Sequence, residues 1–285
     1  MNCNVGCCHL NITDRDNDIR FPVFLTYPTA SIPQKVEVEL RKIEAAPDAP
    51  ILIGNYPVVL ISHGSGGTHL GYMTIANYLA EKGYVVAMTE HYGNNRKDNH
   101  LEGTKENLQN RPSHLQLVID TLVQHPQFQN CIDEDNIAVI GHSMGGYSAL
   151  AIAGGKPWTQ QREPLDVVAD SRVKALVLMA PATLWFTPDQ SLNNVTCPIL
   201  MLLAEHDIYT PMSNAEIVRK QITTPGQLKE RTIDNAGHFS FLSPFPDSRC
   251  HPDFLPSTDP DGFDRKTFHE ELKEEICFFL EDHLR

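Results

Sequence analysis

The chain has 285 residues, 41% of them hydrophobic, which is enough for the core of one large domain. Its 23 Lys and Arg face 36 Asp and Glu, a formal net charge of −13. Such a surface repels phosphate backbones and anionic lipid and argues against nucleic-acid binding. No window approaches the ~18 apolar residues of a membrane-spanning helix, so no integral membrane association is expected. The opening MNCNVGCCHL lacks the basic region and long apolar stretch of a secretory leader. A cytoplasmic monomer or homodimer is the expectation, with removal of a leader as the alternative.

In chain order, residues 21–27 (FPVFLTY) form an early strand, and the alternating run from Gln34 to Leu40 extends the edge. PVVLIS (57–62) is a short apolar run of the kind buried on both faces of a sheet. A helix from about residue 71 to 82 stops at Gly83, and YVVAMT (84–89) is the next strand. Residues 90–110, polar and rich in Asn, read as a long loop, followed by a helix from about 113 to 124. NIAVI (136–140) leads into a tight turn and a helix ending near Gly154-Gly155. KALVLM (174–179), PILMLL (198–203) and residues 228–233 complete the strands, and an amphipathic helix (268–283) closes the chain. Strands alternating with helices imply an α/β class with a mostly parallel sheet and helices on both faces, within a single domain spanning 1–285. Residues 181–197 are too few for a lid domain, so an open cleft is expected. The irregular stretch 243–262 is too long for a simple connection.

Gly141-His142-Ser143-Met144-Gly145 fits G-x-S-x-G between a strand and a small-residue helix. That setting projects a serine oxygen from the C-terminal edge of a sheet. Ser143 is the candidate nucleophile. His63-Gly64-Ser65-Gly66-Gly67 follows PVVLIS, and its backbone suits a second donor to an oxyanion. The expected pair of donors is the amides of Ser65 and Met144. The candidate base is His238, just past the last strand. The candidate acid is Asp207, after PILMLL, ahead of Pro211 at the first position of a helix; Glu205 and Asp234 are the weaker acids. The order Ser143, Asp207, His238 is the α/β-hydrolase order. His142 is expected to pack under the turn. Gly64, His63, His91, Asn94, Asn95, Arg96, Trp185, Phe186 and Phe239 are candidates to line the cleft.

Cys3, Cys7, Cys8, Cys131, Cys197, Cys250 and Cys277 read as free thiols, and no His or Cys follows at zinc spacing. No metal and no cofactor is expected; the partner is a small-molecule ester.

The stretches PVVLISHGSGGTHLGY, VVAMTEHYGNNRKDN, IAVIGHSMGGYSALAIAGG, LLAEHDIYTP and NAGHFSFL resemble the dienelactone-hydrolase-like branch of the α/β hydrolases, which includes the plasma-type platelet-activating-factor acetylhydrolases. The turn is also similar to that of bacterial cutinases and polyesterases, which lack a lid. The name-giving dienelactone hydrolases use a cysteine where this chain has Ser143. The resemblance implies hydrolysis of an ester or related acyl group, most simply a short-chain ester, with phospholipid, polyester and thioester substrates as alternatives. A non-catalytic binding protein on the same fold is the distant one.

Overall fold

The apolar runs become a row of parallel strands, the central ones buried on both faces, while the outermost, residues 228–233, keeps exposed polar side chains. The strands are β5 (Tyr56–Ser62), β6 (Val85–Thr89), β7 (Ile132–His142), β8 (Val173–Met179), β9 (Ile199–Ala204) and β10 (Leu228–Ile233). They lie in the order β6-β5-β7-β8-β9-β10. The computed structural model describes residues 3–15, 17–39 and 41–284. Leu40, the expected end of an early strand, lies outside the described residues.

Four strands add an edge beyond β6. β2 (Ile19–Thr29) pairs antiparallel with β6 and with β1 (Asn4–Asp14), and a hairpin of β3 (Gln34–Val38) and β4 (Arg41–Pro47) finishes the ten-stranded sheet. β1 and β4 escaped the sequence reading because neither shows a clean apolar alternation. Cys7 and Cys8, neighbours on β1, point into opposite cores, so they cannot share a ligand. Burial pushes their thiols up to about 11 and about 12.

Each central strand feeds two cores. Val58 and Leu60 of β5 belong to one, Val59 and Ile61 to the other, the period-2 consequence of the pleat. α2 (Lys105–Gln124), α3 (Met144–Ile152) and α4 (Met212–Gln221) cover the first face; α1 (Met73–Glu81) and α5 (Arg265–Leu284) cover the second. Every fully buried aliphatic side chain here is worth about 1.5–3 kcal/mol.

α2 starts at Lys105, eight residues before the expected position. Pro112 falls inside it and removes the N–H that would bond the Leu108 carbonyl. The Tyr147 hydroxyl of α3 donates to that carbonyl instead, at 2.9 Å. Thr104 caps the helix, its hydroxyl oxygen accepting from Asn107 N–H at 3.1 Å. A second small shift concerns Pro211, which is the N-cap of α4 and not its first helical residue. Residues 181–197 contain only the short 3-10 turn Leu184–Phe186, so no lid domain covers the sheet edge.

Candidate active site

The chain visits β6 on one side of β5 and then β7 on the other. Such a reversal opens a crevice at the C-terminal ends of the strands. Ser62 and Gly141 are register partners across β5 and β7, so the glycine-rich loop and the serine turn leave the sheet side by side. A Cβ on Gly64 would sit 3.2 Å from the Ser143 Cβ.

Ser143 links β7 to α3 at φ 55° and ψ −118°, a conformation that costs on the order of 1–3 kcal/mol outside glycine. Main-chain bonds hold it there. Its N–H donates to Met179 O at 3.0 Å, and its carbonyl accepts from Gly146 at 2.8 Å and Ala182 at 2.9 Å. The flanking glycines permit the approach, since a Cβ on Gly141 would overlap Gly145 and one on Gly145 would overlap Ser62. Met144 is the first residue of α3, so its N–H lacks an intrahelical acceptor. Among the described residues, neither the Met144 nor the Ser65 amide is taken up by another protein group.

His238 Nδ1 lies 2.8 Å from Asp207 Oδ2, and both side chains are buried. A carboxylate only accepts, so Nδ1 carries the proton and Nε2 is left as the basic nitrogen. Asp207 is itself held by the N–H groups of Tyr209 and Thr210 and by the Thr210 hydroxyl, each at 2.8 Å. Burial pushes the Asp207 carboxyl up, but the bonds from His238 and Thr210 outweigh it and keep the group below its ordinary value. Glu205 accepts from the Asn235 N–H at 2.6 Å, and Asp234 is exposed; neither is bonded to His238.

His142 sits beneath the turn, as expected, with a definite task. Its Nε2 is 2.9 Å from the His238 carbonyl and its Nδ1 2.9 Å from the Tyr72 hydroxyl. Burial, with the His238 charge adding to it, pushes this imidazole down to about 3. It is therefore neutral, donating through Nε2 and accepting at Nδ1 from Tyr72. Thr210 and Tyr72 carry no motif that would announce them.

His91 does not line the cleft. It is fully buried, with Nε2 2.8 Å from Ser62 Oγ and Nδ1 3.2 Å from His114 Nδ1. His63 is buried too and neutral, donating from Nδ1 to Gly64 O at 2.7 Å and accepting the His91 N–H at Nε2. Asn94 is buried and Asn95 nearly so, while Phe186 packs on Tyr147 within the core. The expected loop beginning at Glu90 is thus largely a support beneath the site.

The centre of that support is Arg111, fully buried on α2. It donates to Asn94 Oδ1 at 2.7 Å, Ser148 Oγ at 3.0 Å, Ser62 Oγ at 3.3 Å and the His63 carbonyl. No carboxylate faces it among the described residues. Burial lowers its pKa to about 9, so it remains a cation at neutral pH. Asn94 passes the restraint to Ser65 Oγ at 2.9 Å, which donates to Glu102 at 2.9 Å. One guanidinium thereby joins β5, the loop after β6, and α3.

Ser143, Met144, Gly64, Ser65, His238, Trp185 and Phe239 all line one cavity of about 1160 Å³, and Arg96 reaches it as well. Sequence reasoning left the role of residues 243–262 open; Phe245, Arg249, His251 and Phe254 from that stretch form a wall. Arg265 anchors it through Asp259 at 2.9 Å.

The family described as serine aminopeptidase, S33, has a sequence profile that matches residues 55–188. A cutinase of Thermobifida alba is 24% identical over 188 residues, 65% of this chain and 53% of the cutinase. A bis(hydroxyethyl) terephthalate hydrolase of Streptomyces coelicolor is 25% identical over 188 residues, 66% of this chain and 52% of that protein. The chain thus spans about half the length of the curated relatives it matches. Among solved structures, a ferulic acid esterase from Streptomyces cinnamoneus superimposes with a TM-score of 0.75 at 19% identity, covering 100% of this chain and 91% of that one. A dienelactone hydrolase from Anabaena variabilis gives 0.60 at 16% identity, covering 99% and 100%. No helix among the described residues is long and apolar enough to cross a membrane. Sheet order, strand-to-helix serine turn and structural neighbours agree: the chain has the α/β-hydrolase fold.

Proposed function

We propose that the protein is a serine hydrolase of carboxylic esters, with Ser143 as nucleophile, His238 as base and Asp207 as the acid that orients it. The observation that carries the reading is the buried His238–Asp207 contact opening on the same cavity as a serine at positive φ. His238 Nε2 takes the Ser143 proton as the oxygen attacks the ester carbonyl. The amides of Ser65 and Met144 receive the oxyanion. The alcohol leaves with the proton from His238, and water then cleaves the acyl-enzyme by the same route.

The cavity exceeds what a short-chain ester fills, so we read a short acyl group carried on a larger molecule. The relatives named cutinase and terephthalate-ester hydrolase, together with the lidless edge, support a second reading as a polyesterase. No disulfide joins the seven cysteines among the described residues, which supports a cytoplasmic setting. The continuous sheet supports one domain.

Labelling of the folded protein by a fluorophosphonate, followed by peptide mapping, tests the mechanism. Modification at Ser143 is expected; modification elsewhere, or none, overturns it. Hydrolysis of p-nitrophenyl esters separates the enzyme from a non-catalytic binder on the same fold, and a chain-length series separates short-chain esterase from polyesterase.

A further inference from the structure

The charge of the cavity is opposite to that of the chain. The protein carries −13 overall, yet Arg41, Arg96, Lys105 and Arg249 line the cavity against only Glu39 and Glu102. Both carboxylates are engaged, Glu39 with Arg96 at 2.9 Å and Glu102 with Ser65 and Asn99. Among the described residues Arg41, Lys105 and Arg249 form no ion pair.

Lys105 and Arg249 are exposed, but Arg41 is partly buried. It stands at the start of β4, and its guanidinium lies 4.7 Å from the Phe245 ring centre. Nη1 donates to Pro244 O at 2.8 Å and Nη2 to Ser243 O at 3.2 Å. Two of its five N–H donors are thereby used. Arg265 approaches the same ring, 5.7 Å from its centre, and the single carboxylate bonded there, Asp259, belongs to Arg265. Two guanidinium groups thus flank one phenyl ring with one counter-charge between them. A desolvated cation of this kind gains most from an anion that enters the cavity.

We propose that Arg41 anchors an anion subsite, so that the ester cleaved at Ser143 carries a carboxylate or phosphate group elsewhere in the molecule. The inference rests on the esterase reading for its reaction, while the subsite itself rests on charge and geometry alone. Arg41 is held by two carbonyls and by Phe245, so it meets the anion with little loss of side-chain freedom. Lys105 and Arg249 add a field that draws anions toward the cavity.

Matched substrate pairs test the proposal. On the acyl side, 4-nitrophenyl hydrogen succinate is compared with its neutral methyl ester. On the alcohol side, 1-butyrylglycerol 3-phosphate is compared with 1-butyrylglycerol. At least one anionic member is expected to exceed its neutral twin in kcat/KM by about tenfold, less so at high salt. Which pair responds tells a carboxylate from a phosphate ligand. Arg41→Gln should lower the anionic-to-neutral ratio about tenfold, and Arg41→Lys should restore part of it. Ratios near one in both pairs, or ratios unmoved by Arg41→Gln, overturn the proposal, because a loop clasp alone would affect both members equally. If neither member of either pair is hydrolysed, the esterase reading fails separately. Calorimetry with succinate and with glycerol 3-phosphate then decides the subsite: binding weakened by Arg41→Gln upholds it, and no binding overturns it.

Discussion

His142 Nε2 donates to the main-chain carbonyl of His238 at 2.9 Å, so the residue before the candidate nucleophile holds the residue that would serve as its base. Tyr72, at the other ring nitrogen, keeps that imidazole in one tautomer. His142→Phe leaves the His238 carbonyl and the Tyr72 hydroxyl without this partner. An expected loss of about 2 kcal/mol in stability follows, with a fall in kcat larger than any change in KM. Tyr72→Phe should cost about 1 kcal/mol and move kcat less. Chemical denaturation and ester kinetics on both variants check the order; equal kinetics for wild type and His142→Phe would remove the positioning role.

The strain at Ser143 has a measurable sign. Alanine keeps the unfavourable positive φ of Ser143, whereas glycine relieves it. Ser143→Gly is expected to be more stable than Ser143→Ala by about 1 kcal/mol, the reverse of the usual ranking, with both inactive. Melting temperatures of the two variants decide it.

Pro112 is tolerated inside α2 because the Tyr147 hydroxyl satisfies the Leu108 carbonyl. Tyr147→Phe leaves that buried carbonyl unbonded, and a loss of about 1–3 kcal/mol is expected. In a Pro112→Ala background the restored N–H can take the carbonyl, so the cost should shrink. Additive losses in this double-mutant cycle would contradict the coupling.

Arg111 reaches acceptors on three elements. Arg111→Met leaves Asn94 Oδ1 and the His63 carbonyl without this donor in the interior and is expected to destabilise by about 3 kcal/mol, even after the cation's desolvation cost is recovered. Arg111→Lys keeps a charge but cannot span the acceptors as a planar fork does, so it should fall between. Urea denaturation of the two variants checks the ranking.

Acid should weaken the fold well above the carboxylate range. Burial holds His63 and His91 well below the ordinary 6.5, His114 and His142 at about 3, and His269 at about 4. Below pH 6.5 the unfolded chain binds protons that the folded chain refuses. The stability these groups provide is complete above that pH and is lost as pH falls toward the folded values. Each contributes a slope on the order of 1.4 kcal/mol per pH unit in that window. Asp207, also depressed, adds its loss only below its ordinary 3.8. Denaturation midpoints between pH 7 and pH 5 should therefore fall steeply; a flat profile down to pH 5 would exclude the buried neutral histidines.

Local order in the chain was enough to read the α/β class and the serine turn after 136–140, and to put Asp207 and His238 forward as candidates. Apolar runs, glycine spacing and position after a strand are encoded within a few consecutive residues, and the physics they report is equally local. The early start of α2 was not legible, because the hydroxyl that makes Pro112 acceptable comes from Tyr147 in another helix. His91 looked like a cleft residue for the same reason: a histidine after a strand carries no mark of whether its ring turns to solvent or, as here, to Ser62 and His114.

Sequence alone determined the order and kind of the candidate groups Ser143, Asp207 and His238, since that follows from which residues end which strands. Tertiary structure alone decided what surrounds them. Arg111 beneath the glycine-rich loop, Tyr72 and His142 behind His238, and Arg41 beside Phe245 in an acidic protein are contacts between residues 17 to 204 positions apart. Burial and charge pairing over such separations depend on how the sheet and its loops close upon one another, and no local pattern carries that information.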